Sequence, residues 1–385
     1  MKILVLYPHP PEPDGVSMQG HYLIKGLREL GHEVIPCDRA DNLEKLWTYK
    51  ALNPDIVIGI GFWGNIPEVV HSPMKHSLKV VPWFNADGWV ANYHNTLNNL
   101  PLILTTSNWV KQTYIRDGIK GENIYPCPIG YDPETFYPRE KTDPQIKKLR
   151  ELLGIQEDEK MILTAGGDVT SKGAQEMLQA LAKIDKEYKN WKYVLKVYES
   201  DSADIHGEEE NILIEKLNLN KDKIIHLSGA YSPEFMSSLI NSCDIYAGPS
   251  RLEGFGMIQL EAQACGKPVV SINVGGPKDT IIHEKTGFLV DVFHEVKLDK
   301  EWAYPWMGFE EKHQIVFDKP KVFAYRADIN QLAESTLKLL KNDKLREKIG
   351  KEAAEHALKN FHYKVTAKKM LDLIQAKIFN EQKQN

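Results

Sequence analysis

Short apolar runs alternate with longer amphipathic stretches along most of the chain. The runs have the length of strands, are rich in Val, Ile and Leu, and carry few polar residues, as strands buried on both faces of a sheet do. Their alternation with helices predicts parallel sheets joined by helical crossovers, and hence an α/β fold. In the first half the predicted strands are 2–7, 31–35, 55–60, 79–84 and 101–105, with an amphipathic helix at 20–30.

A second series of the same kind begins after segment 131–144, which is rich in proline and charge and predicts a linker. A chain of 385 residues is also too long for one ordinary core. We therefore predict two α/β domains with a cleft between them. The predicted strands of the second series are 161–165, 192–197, 223–227, 245–248 and 268–272.

One stretch, at about 291–325, interrupts this alternation. It has no clear hydrophobic period, but it carries Trp302, Tyr304, Trp306 and Phe309. Disordered segments are poor in aromatic residues, and long structureless loops are uncommon. We therefore expect an ordered insertion that serves as a lid or as an oligomer contact.

Composition and charge narrow the range of partners. The net charge of −5 offers no global attraction to nucleic acid or anionic lipid. The four cysteines are scattered, so neither a zinc site nor a disulfide framework is predicted. The apolar runs are far shorter than the ~20 residues of a membrane span, and residues 1–7 are typical of a strand rather than a signal peptide. These features favour a cytoplasmic protein.

The most informative segment is 249–262, Pro-Ser-Arg-Leu-Glu-Gly-Phe-Gly-Met-Ile-Gln-Leu-Glu-Ala. It follows a predicted strand, passes through a glycine-containing loop and enters a helix, whose first N–H groups and dipole suit a diphosphate. Glu253 and Glu261 can face the two ends of a bound nucleotide, since carboxylates accept hydrogen bonds from ribose and sugar hydroxyls. The spacing fits equally well two solvated glutamates beside a tight turn.

A second glycine-containing loop, 166–173, follows another predicted strand. Ligands of parallel sheets bind outside the carboxyl ends of the strands, so Lys172 is placed to reach a phosphate oxygen and stabilise the charge of a leaving group. The alternative is a solvated lysine at the start of a helix. The glycines before it favour the functional interpretation.

The segment around Glu253 and Glu261, together with Ala-Cys-Gly-Lys-Pro-Val-Val at 264–270, Gly-Gly at 275–276 and Thr-Gly-Phe-Leu-Val at 286–290, resembles the retaining family 4 glycosyltransferases (glycosyl transferases group 1). Similarity extends to 31–34, 128–138 and 172–173, and covers nearly the whole chain except the insertion. The resemblance implies the GT-B architecture, with two Rossmann-like domains that face a central cleft. The acceptor domain would be 1–138, with part of the C-terminal helix at about 362–385 crossing back to it, and the donor domain would be 139–361, including the insertion.

The resemblance also implies roles for individual residues. Glu261 would hold the ribose, Glu253 would contact the donor sugar, and Lys172 would bind the diphosphate. The reaction would retain the anomeric configuration, with a UDP- or GDP-sugar as donor and no metal ion or other cofactor. The implied donor-binding residues are Gly15, Gly167, Lys172, Arg251, Gly254, Phe255, Gly256, Met257, Ile258 and Glu261.

The sequence departs from the family pattern in two places. Related enzymes carry Arg where this chain has Gly167, so one phosphate-neutralising charge is missing unless Arg251 supplies it. Relatives also place His at the end of the strand matching 80–84, where this chain continues with Asn85 and Asp87. Asp87 is the catalytic candidate for polarising an acceptor hydroxyl, and a loop-capping aspartate is the alternative.

The acceptor is left open as a carbohydrate, a small molecule or a lipid-linked sugar. Basic and aromatic residues such as Lys79, Trp109 and Lys111 leave peripheral contact with the inner membrane face as an alternative to a solvated surface, and a homo-oligomer is also open. Two other kinds of function compete with sugar transfer. One is an epimerase or phosphorylase-like enzyme of GT-B fold, and the other is a non-catalytic protein that binds a nucleotide or a sugar, which the missing Arg favours.

Overall fold

The computed structural model describes residues 1–85, 88–198 and 200–380. The chain divides into two compact units. Unit 1 contains Met1–Asp132, Lys297–Phe323 and Asn360–Asn385, and unit 2 contains Pro133–Val296 and Ala324–Lys359. Within the described residues, no helix combines the length and the apolar character needed to cross a bilayer.

Unit 1 is built on a six-stranded parallel sheet with the strand order β2-β1-β3-β4-β5-β6. Its central strands are buried on both faces, as their apolar sequences predict. The sequence analysis missed the last strand, whose three residues are too short to show a pattern. The strands are β1 (Lys2–Tyr7), β2 (Glu33–Asp38), β3 (Ile56–Gly61), β4 (Val80–Phe84), β5 (Ile103–Thr105) and β6 (Ile124–Pro126).

Unit 2 repeats this architecture with a second six-stranded parallel sheet, in the order β12-β11-β10-β7-β8-β9. The prediction of an α/β fold with two parallel sheets is therefore confirmed. The strands are β7 (Lys160–Ala165), β8 (Trp191–Val197), β9 (Ile224–Ser228), β10 (Ile245–Gly248), β11 (Val269–Ile272) and β12 (Gly287–Val290).

Helices connect the strands in both units. The first of them shows how the sequence fixes a helix, because the Asp14 carboxylate caps it by accepting hydrogen bonds from the N–H groups of Val16 and Ser17. The α-helices are α1 (Gly15–Glu29), α2 (Asn42–Trp47), α3 (Ser72–Met74), α4 (His94–Asn99), α5 (Asn108–Arg116), α6 (Pro144–Leu152), α7 (Ala174–Ile184), α8 (Asp201–Lys216), α9 (Pro233–Ser242), α10 (Met257–Ala264), α11 (Pro277–Thr280), α12 (Ile329–Lys341), α13 (Asp343–Phe361) and α14 (Tyr363–Ile374).

The C-terminal helix α14 belongs to unit 1, where it packs on α1. Gly26 permits this close approach, since a Cβ there would lie 2.7 Å from the carbonyl oxygen of Tyr363. Lys25 adds an ion pair to Asp132, at 2.9 Å, in the last segment of unit 1 before the linker. The return of the C-terminal helix to the first domain thus follows from tight packing between two helices.

The aromatic insertion is a two-stranded β-hairpin, formed by β13 (Val292–Ala303) and β14 (His313–Ala327). The sequence analysis predicted no regular structure here and placed the whole insertion in the donor domain. The structure instead assigns Lys297–Phe323 to unit 1. The physical reason is that Met307 is buried in the apolar cluster of that unit and that the partly buried Phe309 packs against it.

Candidate active site

Two glycine-containing loops of unit 2 meet at an ion pair. Lys172 follows β7 in the first loop, and its ammonium donates a hydrogen bond of 2.7 Å to Oε2 of Glu253 in the loop after β10. Gly166 makes room for this lysine, because a Cβ at Gly166 would lie 2.6 Å from Lys172 Cγ. Gly173 lets the loops touch, with a φ of +86° and a Cβ position 2.4 Å from the Pro249 carbonyl oxygen.

Two glycines that the family resemblance included, but to which the sequence gave no role, support the second loop from behind. The N–H of Gly276 donates to the Glu253 carbonyl oxygen at 2.9 Å. A Cβ on Gly276 would lie 2.3 Å from Phe255 Cα, and one on Gly275 would lie 2.5 Å from the Glu253 carbonyl oxygen. Only glycine fits this contact, so the pair fixes the position of the backbone from Glu253 to Phe255.

Helix α10 starts directly after this loop. Gly256 adopts a φ of +94° at the N-cap and has no side chain with which to cap the helix. The N–H groups of the first turn, which include Met257 and Ile258, therefore have no side-chain cap from that residue. Together with the helix dipole they form the kind of site that binds phosphate.

Glu261 lies one turn into α10 and is buried, with only 8% of its surface exposed. Burial raises the pKa of its carboxyl to about 8. Among the described residues, none donates a hydrogen bond to this carboxylate or forms an ion pair with it. A buried carboxylate without a partner is costly unless a ligand supplies the donors, so Glu261 is the clearest candidate for a ligand-binding group in the unit.

Arg251, which the sequence offered as a replacement for the missing arginine, is bonded to residues of α7. Nε of Arg251 donates to Oε1 of Glu176 at 3.1 Å, and its Nη2 donates to Oε1 of Gln175 at 2.8 Å, both on α7. A phosphate contact by Arg251 would require these bonds to be exchanged. By contrast, a Cβ at Gly167 would have no heavy atom within 4 Å.

A polar cluster beside the first loop escaped the sequence analysis. Thr170 donates a hydrogen bond of 2.7 Å to Oε1 of the buried Glu210, and Nδ1 of His206 lies 2.6 Å from a carboxylate oxygen of Asp168. Burial raises the pKa of Glu210 to about 7. Glu210 and His206, which lie on α8, anchor the loop that carries Lys172. No motif in α8 indicates this role, because its charged residues have the pattern of a solvated helix.

Of the site residues predicted in unit 1, the structure describes only some. Gly15 is the first residue of α1, and the N–H groups that follow it are capped by Asp14. The side chain of Asn85 is engaged on both sides, since it donates to Gln19 Oε1 at 3.0 Å and accepts from Thr106 Oγ1 at 2.7 Å. Asp87 lies outside the described residues.

Comparison with known proteins agrees with this geometry. The sequence profile of the family "Glycosyl transferases group 1" matches residues 145–300, which include both loops and α10. The chain carries a group 1 glycosyltransferase domain. The resemblance found in the sequence is thereby confirmed at the level of the family.

Curated relatives extend the comparison beyond this domain. It is 33% identical over 184 residues to a D-inositol 3-phosphate glycosyltransferase of Paenarthrobacter aurescens, an alignment that covers 47% of this chain and 42% of that protein. The chain spans about half the length of such relatives or less. An uncharacterized glycosyltransferase of Methanocaldococcus jannaschii is 22% identical over 382 residues, which cover 93% of this chain and 94% of that one.

Solved structures establish the fold of the whole chain. A glycosyltransferase from Rickettsia africae superposes with a TM-score of 0.76 at 19% identity, over 98% of this chain and 99% of that one. Anabaena Alr3699/HepE in complex with UDP and glucose superposes with a TM-score of 0.73 at 17% identity, over 98% of this chain and all of that chain (100%). The predicted GT-B fold is confirmed by these neighbours.

Proposed function

We propose that this protein is a retaining hexosyltransferase that uses a UDP- or GDP-sugar as donor, an acceptor hydroxyl as second substrate, and no bound metal ion. The observation that carries the proposal is the buried carboxylate of Glu261, which has no partner among the described residues. Its two oxygens can accept hydrogen bonds from the two neighbouring hydroxyls of a ribose. The family domain over residues 145–300 supports the same assignment.

The diphosphate would bind between Lys172 and the first turn of α10. Phosphate oxygens suit both the ammonium and the N–H groups that start the helix at Met257 and Ile258. When Lys172 turns to the phosphate, the carboxylate of Glu253 is released to accept hydrogen bonds from the hydroxyls of the donor sugar. The ion pair of the free protein would then be exchanged for two contacts with the donor.

The reaction would be a substitution on one face of the sugar. The acceptor oxygen forms a bond to the anomeric carbon as the bond from that carbon to the phosphate oxygen breaks, and the acceptor proton passes to the leaving phosphate. Attack from the side on which the phosphate leaves retains the anomeric configuration. Lys172 and the N–H groups of α10 stabilise the charge that develops on the diphosphate, which is the largest contribution expected from the protein.

A thermal-shift screen with UDP, GDP, ADP and their common sugar conjugates tests the donor site. A ligand present at ~100 times its dissociation constant stabilises the folded state by about 2.7 kcal/mol, which shifts the melting temperature by a few degrees. Stabilisation by one nucleotide names the donor base, and NMR of the glycosylated product then gives its anomeric configuration. If none of these nucleotides stabilises the protein, the proposal is contradicted. Loss of activity in EDTA would contradict the part of the proposal that requires no bound metal ion.

A non-catalytic nucleotide-binding protein is the second candidate. Two observations favour it, namely the glycine at position 167 and the engagement of Arg251 by Glu176. Both reduce the positive charge that the two loops offer to a diphosphate. This candidate predicts that a nucleotide-sugar binds but is neither hydrolysed nor transferred, which isothermal titration combined with assay of released nucleotide would show.

A further inference from the structure

The tip of the hairpin β13–β14 lies at the carboxyl edge of the sheet of unit 1. Its Phe309 packs edge-on against Trp63, with ring centroids 6.5 Å apart, and Trp63 follows directly after β3. In β14, Phe317 packs against Trp89, at 5.6 Å, and Trp89 lies in the segment after β4. Ligands of parallel sheets bind at this edge, so the hairpin stands where unit 1 is expected to hold its substrate.

Specific contacts hold the tip in place. The side-chain amide of Asn92 donates to the carbonyl oxygens of Met307 and Gly308, at 3.3 and 3.0 Å. Gly308 adopts a φ of +82°, and a Cβ there would lie 1.7 Å from the Tyr93 hydroxyl, so only glycine fits. These bonds and the buried Met307 attach the tip to the segment after β4 and to the apolar cluster of unit 1.

Three aromatic rings remain partly exposed on this tip and form a ridge, which we define as Trp302, Tyr304 and Trp306. The rings of Tyr304 and Trp306 are nearly parallel, with an angle of 17° and centroids 5.9 Å apart. Trp302 and Trp306 are 40% and 57% exposed. The ammonium of Lys312 lies 4.7 Å from the ring centre of Trp302 and 5.1 Å from that of Tyr304. The ridge thus combines partly exposed aromatic rings with a hydrogen-bond donor that lies beside them.

We propose that the aromatic ridge binds a neutral sugar ring of the acceptor, so that the acceptor of this enzyme is a glycan. This inference rests on the proposed glycosyl transfer and names the class of its second substrate. A sugar presents a flat face of C–H groups that packs on Trp and Tyr rings, while its hydroxyls accept a hydrogen bond from an ammonium such as that of Lys312.

Charge decides between a glycan and a membrane surface. The hairpin from Val292 to Ala327 carries equal numbers of basic and acidic residues. An interfacial segment that binds anionic lipid is instead rich in Lys and Arg. A neutral sugar needs no excess of either charge, and the position at the carboxyl edge of the sheet suits a substrate.

The experiment measures binding of maltopentaose, cellopentaose and chitopentaose to the full chain by tryptophan fluorescence and isothermal titration. The test variant is Trp302→Ala/Trp306→Ala. Trp47→Ala is the matched control, because Trp47 is also 57% exposed but lies on α2 of the same unit. We expect saturable binding of at least one oligosaccharide, weakened about tenfold or more in the double variant, since this variant removes the two most exposed rings of the ridge. The control variant should bind as the unaltered protein does.

Binding of UDP, measured on the same samples, separates the two proposals. Unchanged UDP binding in the double variant shows that the fold and the donor site are intact. Absence of saturable binding to every oligosaccharide overturns the inference, as does binding that the double variant leaves unaffected. Adsorption to phosphatidylglycerol vesicles that is lost in the double variant but not in Trp47→Ala also overturns it, in favour of a lipid surface. Oligosaccharide binding without binding of any nucleotide contradicts the proposed transferase but not the ridge.

Discussion

The ammonium of Lys172 lies 2.7 Å from Oε2 of Glu253 and joins the two glycine loops of unit 2. Both side chains are partly exposed, so the pair itself adds little to stability. Its importance lies in the two charged groups that it keeps close together. In the free protein each charge balances the other, and under the proposed function a diphosphate that takes over Lys172 would leave the Glu253 carboxylate available to the sugar.

Lys172→Ala should slow sugar transfer by ~10²–10³-fold, because it removes a cation that stabilises the charge developing on the leaving diphosphate. The dissociation constant of the nucleotide should change much less than kcat. Steady-state kinetics and titration with the donor nucleotide measure both quantities. Lys186→Ala, an exposed lysine of the same unit, serves as control. A kcat within a few-fold of the unaltered enzyme would remove Lys172 from the proposed mechanism.

Nucleotide binding should strengthen as the pH rises towards 8. Burial raises the pKa of Glu261 to about 8, so its carboxyl is mostly protonated at neutral pH in the free protein. Ribose hydroxyls donate to the ionised form and lower this pKa, so that binding releases a proton. The affinity therefore rises by at most tenfold per pH unit below about 8 and is constant above it. Titration calorimetry from pH 6 to 9 measures this dependence.

Glu261→Gln provides the control for that pH dependence and a second readout. The variant should bind nucleotide more weakly and should lose the rise in affinity towards pH 8. In the free protein the folded pKa of about 8 exceeds the ordinary value of 4.5, so the charged form is disfavoured by folding. The unfolding free energy of the unaltered protein should therefore fall, relative to the variant, between about pH 4.5 and 8. Parallel stability curves over this range would contradict the burial of Glu261.

Gly167→Arg should tighten nucleotide binding by about tenfold or more, because a hydrogen bond to a charged group contributes about 1.5–3 kcal/mol. The position tolerates the side chain, as no heavy atom lies within 4 Å of its Cβ. Gly167→Gln has a long side chain without charge and is the control. Gly166→Ala should instead weaken nucleotide binding, since the added Cβ would lie 2.6 Å from Lys172 Cγ and displace the lysine side chain. Equal dissociation constants for the Arg and Gln variants would show that no phosphate lies near this loop.

The apolar runs predicted most strands to within one or two residues. β1 and β10 have the predicted bounds, whereas β6 and β12, of three and four residues, were not predicted as strands. Glu253, Lys172 and Glu261 could be proposed from the sequence because they lie in, or directly after, glycine-containing loops that follow predicted strands. Their roles remain predictions. The pairing of Lys172 with Glu253 and the bonds of Arg251 to α7 could not be predicted from the sequence, since they depend on which loops meet in space.

The hairpin shows the other limit of sequence reasoning. Its aromatic residues at 302–309 correctly indicated an ordered segment, but their spacing showed no period, because only Trp302 lies in β13 while Tyr304, Trp306 and Phe309 lie in the connection to β14. Phe309 and Phe317 pack instead against Trp63 and Trp89, which are distant in sequence. Tertiary contacts of this kind determine to which unit a segment belongs, and a single sequence does not contain them.

Gly276→Ala should destabilise the fold by about 1–3 kcal/mol and weaken nucleotide binding, because its methyl group would overlap Phe255 Cα, 2.3 Å away, and push the loop out of place. Gly207→Ala is the matched control, since Gly207 lies within α8 with no heavy atom within 4 Å of its Cβ. That change should stabilise the protein by about 0.4–1 kcal/mol and leave binding unaltered. Urea denaturation and nucleotide titration of both variants give the two quantities. A Gly276→Ala variant that keeps full stability and affinity would show that the glycine pair does not position the backbone from Glu253 to Phe255.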